Sequence, residues 1–180
     1  MHTSQMRITR DLPFASTRLY AVVAIFVALD VAVPWLCHVI HPMAGPTLLP
    51  MFFFVLLAGL LFGWRAGVLV GIITPLLSHA MTGMPVIAVL PRVLIEGTVY
   101  GLVAGLLYHN GGFRALWATV GAIVLGRLAT IALLFALSTG SINGAAEVWR
   151  ALQIGWPGII AQIVLIPCIA LVAERLMGDA

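Results

Sequence analysis

The chain has 180 residues, of which 62% are hydrophobic and 8% charged, and its mean hydropathy is +1.14. Soluble domains carry roughly 25% charged residues, so a water-soluble fold is excluded. The nine basic residues are all arginine and face six acidic ones, a net +3 that is too sparse for a nucleic-acid-binding surface.

A spanning helix takes about 20 apolar residues, so this length holds roughly six spans with short connections and no separate catalytic or ATP-binding domain. The start, Met1 to Arg18, carries Arg7, Arg10 and Arg18 ahead of an apolar run. No small-x-small cleavage site closes that run, and a retained first helix is expected. Breakers divide the rest into apolar segments at 19–37, 49–63, 66–80, 90–108, 114–138 and 152–175. These predict one all-α membrane domain of six helices over residues 1–180.

In the first helix Ala24, Ala28 and Ala32 recur every four residues, with Ala21 beside them, and form a smooth ridge that a neighbouring backbone can approach. That ridge serves either packing within the bundle or docking of a partner. The second and third segments are short and joined only by Trp64-Arg65-Ala66, with Gly59 and Gly63 before the turn and Gly67 and Gly71 after it. Seven of the ten prolines lie between Pro34 and Pro91. Irregular backbone at membrane depth survives only where protein or a cavity covers it, which places a cavity beside the loops 38–48 and 79–90. The fourth segment carries a further row, Gly97, Gly101 and Gly105, read as packing within the bundle.

Loops with arginine remain cytoplasmic. The N-terminal segment and the loops at Arg65, Arg114 and Arg175 are therefore inner, as are both termini. Loops 38–48, 79–90 and 139–151 are outer, the last with Arg150 offset by Glu147. Trp35, Trp149 and Trp156 then fall at outer ends and Trp64 and Trp117 at inner ends, as interfacial belts require.

A charge at mid-membrane costs about 2.5–3.5 kcal/mol, so each one needs a partner or a role. Asp30, Arg92, Glu96, Arg127 and Gln162 lie within spans, and His38, His79, Asn143 and Gln153 border the same outer side. Two readings stand: an internal network, with Arg92 pairing Glu96 four residues on and Asp30 pairing Arg127, or a small-molecule pocket. Cys37 and Cys168 lack metal-type or redox-type spacing. His38, His41 and His79 form no ligand pattern with a cysteine or carboxylates, so no metal site is expected. No catalytic motif is present, and Glu96 or His79 would act as an intramembrane base without a nucleophile beside it.

The ordered set of motifs resembles the substrate-binding S components of energy-coupling factor (ECF) vitamin transporters. It comprises His38 to Gly45, Leu49-Pro50-Met51, Val55 to Gly59, Thr74 to Ser78, Thr82-Gly83-Met84-Pro85, Glu96 with Tyr100 to Gly105, Gly126-Arg127, and Gly155 to Ile160 with Gln162 and Pro167. Phe52-Phe53-Phe54 departs from it, since many relatives read His-Ile-Pro after the Met. The resemblance implies an outward-facing pocket and a first-helix alanine motif, Ala24, Ala28 and Ala32, that docks on a transmembrane coupling (T) subunit. It also implies two partner ATPase subunits that consume ATP, so the chain itself needs no cofactor and is not an enzyme.

On this reading Arg92, Glu96, Arg127, Asn143, Gln153, Trp156, Gln162, Trp35 and His79 recognise a vitamin-like micronutrient. The two arginines lean toward an anionic group unless Glu96 and Asp30 already occupy them. The expected location is the cytoplasmic membrane of a bacterial or archaeal cell. The alternatives are a small intramembrane enzyme using Glu96 or His79, and a standalone channel-like or structural membrane protein.

Overall fold

The computed structural model describes residues 11–40, 47–137 and 143–178. Among these, all regular structure is helical: α1 (Thr17–Ile40), α2 (Pro50–Phe62), α3 (Trp64–Thr82), α4 (Leu90–Gly105), α5 (Ala115–Leu137) and α6 (Asn143–Gly178), with a π-helical turn Leu106–Asn110 extending α4. All but α2 contain a stretch long and apolar enough to cross a membrane. Their outer faces are apolar, with Ile25, Leu128, Val164 and Leu165 about half exposed, as side chains facing lipid would be. The chain is a multi-pass membrane protein.

The expected segments and the helices agree within a few residues except at α6, which begins at Asn143 rather than 152. The correction has a simple cause. Hydropathy locates the membrane-crossing stretch, here Leu152–Ala173, and passes over a polar first turn such as Asn143-Gly-Ala-Ala-Glu that is helical without being apolar. The N-terminal arginines Arg7 and Arg10, His41 and most of the loop 38–48 lie outside the described residues.

The short helix α2 is the centre of the bundle. It is apolar on all sides and buries Phe52 and the run Val55 to Leu60 against α1, α3, α4 and α6. Its ends are defined by sequence and held by other helices. Pro50 suits the first helical position, where no N–H is needed. Leu49 before it is left-handed (φ 49°), and Gln162 Nε2 of α6 donates to its carbonyl at 3.1 Å. At the other end Gly63 adopts φ 89°, open to glycine, and returns its N–H to Gly59 O. His109 Nε2 donates to the Leu60 carbonyl at 2.8 Å, filling one of the acceptors a helix terminus leaves open.

The most extensive helix contact is α3 against α4, and the expected glycine rows are its seam. A Cβ built on Gly67 would stand 2.6 Å from Gly101 O, and one on Gly71 would stand 2.5 Å from Gly97 O. Gly105 lies against the backbone of Trp64 in the same way. With no hydrophobic force between helices inside lipid, this backbone-to-backbone approach is what holds the pair together.

The alanine ridge behaves differently. Ala21, Ala24, Ala28 and Ala32 are all exposed, while Leu19, Val23, Val27 and Asp30 of the same helix turn inward onto α2 and α3. The reading in which these alanines pack inside the bundle therefore fails.

At the end of the bundle where α2 meets α3, Arg65 pairs with Asp11 at 3.0 Å. Its guanidinium lies 4.8 Å from the ring centre of Trp64 and 5.4 Å from that of Phe14. This cluster sits where the sequence predicts a cytoplasmic arginine.

Candidate functional site

At the opposite end, where α1 and α3 finish and α2 and α4 begin, the helices part around a cavity of about 590 Å³. Ligand pockets typically span about 300–1,000 Å³. Pro34 and Trp35 of α1, Leu49 to Phe52, Ser78, Met81 and Thr82 of α3, Met84, Pro85, Val86 and Val89 of the connection to α4, and Ile154 of α6 form its walls. This is where the proline-rich stretch predicts it. The walls are mostly apolar, and three methionines, Met51, Met81 and Met84, give them an unbranched, polarisable surface that adapts to irregular shapes.

Three charged side chains line it: Arg92 and Glu96 from α4 and Arg127 from α5. Glu96 is 2% exposed and Arg127 9%. Arg127 Nη1 lies 3.0 Å from Glu96 Oε1, and the Tyr100 hydroxyl donates to the same oxygen at 2.8 Å. The sequence around the pair explains the geometry. Glu96 and Tyr100 are one turn apart on α4, and a Cβ on Gly126 would collide with the Tyr100 ring. Only glycine beside Arg127 lets the phenol lie flat enough on α5 for both groups to converge on one carboxylate. Phe52, at the position where the chain departs from its apparent relatives, completes the floor. Its ring packs edge-on to Tyr100, with centroids 5.0 Å apart.

The pairing differs from the sequence expectation. Arg127 meets Glu96 rather than Asp30, because α5 packs on α4 and α6 whereas α1 packs on α2 and α3. Asp30 is fully buried and approaches the Thr74 hydroxyl, yet neither carboxylate oxygen nor the hydroxyl reaches hydrogen-bond geometry. Arg92, expected to pair with Glu96, forms no ion pair within 4.0 Å among the described residues and acts on that carboxylate only at longer range. Arg127 keeps two buried nitrogens, Nε and Nη2, without a partner among the described residues.

Of the nine residues singled out by sequence, Arg92, Glu96, Arg127 and Trp35 line the cavity. Two others shape it from behind. Gln162 fixes the Leu49 carbonyl at its rim, and one turn earlier Gly158 lets α6 close onto the backbone at Leu48, where a Cβ would stand 2.5 Å from the carbonyl oxygen. His79 Nδ1 donates to the Pro85 carbonyl at 2.8 Å, tying the 84–89 wall to α3. Gln153 and Trp156 are exposed on the surface of α6 and do not line the cavity. The side chains of Asn143 and His38 lie outside the described residues. Sequence reasoning passed over Ser78, Tyr100, Phe52 and the three methionines; the crowding of Met, Pro and Gly between 81 and 85 was the available signal. Among the described residues, no three His, Cys, Asp or Glu side chains gather to hold a metal ion.

The bond at His79 supports a specific expectation. His79→Ala should speed amide hydrogen exchange in 85–89 by about fivefold, the equivalent of one lost hydrogen bond of ~1 kcal/mol, without unfolding the bundle. Exchange mass spectrometry of that peptide reads the effect, and unchanged protection would show that the wall stands without the histidine.

Three comparisons with known proteins bear on this arrangement. The family model described as the ECF transporter substrate-specific component matches residues 18–177, nearly the entire chain. No curated protein and no solved structure gives a significant match.

Proposed function

The chain belongs to the substrate-specific components of ECF transporters, and from that premise we propose that it captures a vitamin-like micronutrient in the cavity between α1, α3 and α4. It is a transport subunit of the membrane rather than an enzyme. The observation that carries the capture reading is the cavity itself: a volume of about 590 Å³ with apolar walls and a buried charged floor, reached from one end of the bundle.

In this reading the arginine-bearing connections place that end outside the cell and both termini in the cytoplasm. The six helices are set in a bacterial or archaeal cytoplasmic membrane, with α2 as the short member. Release of the substrate then depends on a transmembrane coupling subunit and two ATPase subunits. The surface offered to the coupling subunit is the outward face of α1 at Ala24, Ala28 and Ala32, whose exposure supports docking over internal packing. Small side chains there let a partner helix come close at little cost in ordering.

Affinity purification of the tagged chain from its own host should recover the coupling and ATPase subunits. Ala28→Trp should reduce that recovery at least tenfold. Because the side chain points away from the bundle, melting should stay within about 0.5 kcal/mol of the parent. A chain that recovers no such partners and retains no small molecule is the standalone membrane protein of the rival reading.

A further inference from the structure

We infer that the captured molecule is a monoanion, a single carboxylate on an otherwise uncharged and largely apolar body. This rests on the capture reading above and specifies its substrate class. Among the described residues lining the cavity only Arg92, Glu96 and Arg127 carry charge, so their sum is one surplus positive charge. The negative charge is already committed, since Glu96 Oε1 receives both Arg127 Nη1 and the Tyr100 hydroxyl. The positive charge is committed only through Arg127 Nη1. Arg127 is more than nine-tenths buried, yet its Nε and Nη2 have neither a partner among the described residues nor access to solvent. Arg92, one turn before Glu96 on the same helix face, has no ion pair of its own within 4.0 Å among the described residues.

Each class of substrate meets this arrangement differently. A cation would face two guanidinium groups with the only carboxylate among the described lining residues already occupied. A neutral molecule would displace water from the half-buried Arg92 without compensating its charge, and a dianion would carry an excess negative charge into apolar walls; both are costly where the ligand excludes water. One carboxylate cancels the surplus, and its two oxygens match the planar fork of a guanidinium. The apolar walls and the adaptable methionines accommodate the remainder. At about 30 Å³ for each water-sized group, the volume corresponds to roughly 20 non-hydrogen atoms.

The test uses the full chain in lipid nanodiscs. It is incubated with an equimolar mixture of aryl-alkyl monocarboxylates of graded size, their primary amides and the matching primary amines. After washing, retained compounds are released by denaturation and identified by mass spectrometry. The expected result is at least tenfold enrichment of one or more acids over the matching amide and amine. That enrichment should be lost in Arg92→Gln and kept in part by Arg92→Lys, with both variants melting like the parent. If Arg92→Gln fails to fold, the lysine variant and the acid-to-amide ratio in the parent still decide the matter.

Preferential retention of amines or amides, equal retention of all three, or retention of nothing overturns the monoanion inference. Partner recovery is scored separately on the same preparation. Coupling and ATPase subunits recovered without acid selectivity sink the substrate class and leave the capture reading standing; the loss of both sinks the two together.

Discussion

A Gly101→Val protein will fail to hold its native bundle. The built Cβ at Gly101 already falls within the backbone of Gly67, and the reciprocal Cβ at Gly67 stands 2.6 Å from Gly101 O. What stands in the way is main chain on a helix locked by its own hydrogen bonds, so no rotamer change relieves the overlap. Overpacking a core of flexible side chains costs about 1–3 kcal/mol; separating two backbones along the most extensive interface of the bundle should cost at least ~3 kcal/mol. Thermal unfolding in detergent, followed by tryptophan fluorescence, should show the loss directly.

A graded series makes the prediction sharper. Gly97 has more room, its nearest neighbour being Gly71 O at 3.2 Å, so Gly97→Ala should be milder than Gly101→Ala. Equal melting temperatures for the two alanine variants would mean that α3 and α4 do not meet in this register.

The second large effect concerns the buried pair. Arg127→Ala leaves Glu96, 2% exposed, with the Tyr100 hydroxyl on its Oε1 and Arg92 only at longer range. Removing one partner of a buried ion pair costs about 3–5 kcal/mol, chiefly because the other charge is stranded. For a chain of this size that amounts to a melting temperature lower by roughly 10 °C. The double variant Glu96→Gln with Arg127→Met strands no charge and should recover more than half of the loss. A double variant as unstable as the single one would locate the cost in packing rather than charge. Arg127→Ala with unchanged melting would show that the pair does not support the fold at all.

These two effects divide according to what a sequence can reveal. Helix positions were legible because a membrane imposes a length and a composition on each span, and the glycine rows were legible because their four-residue period marks one helix face. The cavity could be placed because prolines gather at 34, 50 and 85, and although α1 runs on past Pro34, Pro50 and Pro85 stand where helices start or stop and only a covered space tolerates the irregular backbone.

Pairings between helices were not legible in the same way. Nothing in the residues says that α5 neighbours α4 rather than α1, so Arg127 could be assigned to Asp30 as readily as to Glu96. The glycine that lets Tyr100 reach Glu96 stands in another helix, at 126, and its purpose is visible only when the two are brought together. Polar residues on the outer half were likewise grouped by depth alone. Gln153 and Trp156 share that depth with Arg92 but face away from it, because rotation about a helix axis depends on neighbours and not on distance from the membrane surface.

The seam between α3 and α4 has one more consequence. Glycine has no side-chain torsions, so bringing Gly67, Gly71, Gly97 and Gly101 together freezes no rotamers. A Met, by comparison, gives up about 1.5–2 kcal/mol of rotamer freedom when ordered, and Leu about 0.5–1. The dispersion gained as the two backbones touch is therefore kept nearly whole. Once the helices have formed, this close seam thus has no side-chain disorder left to lose, while the methionines around the cavity retain the torsional freedom that a tight seam would have taken from them.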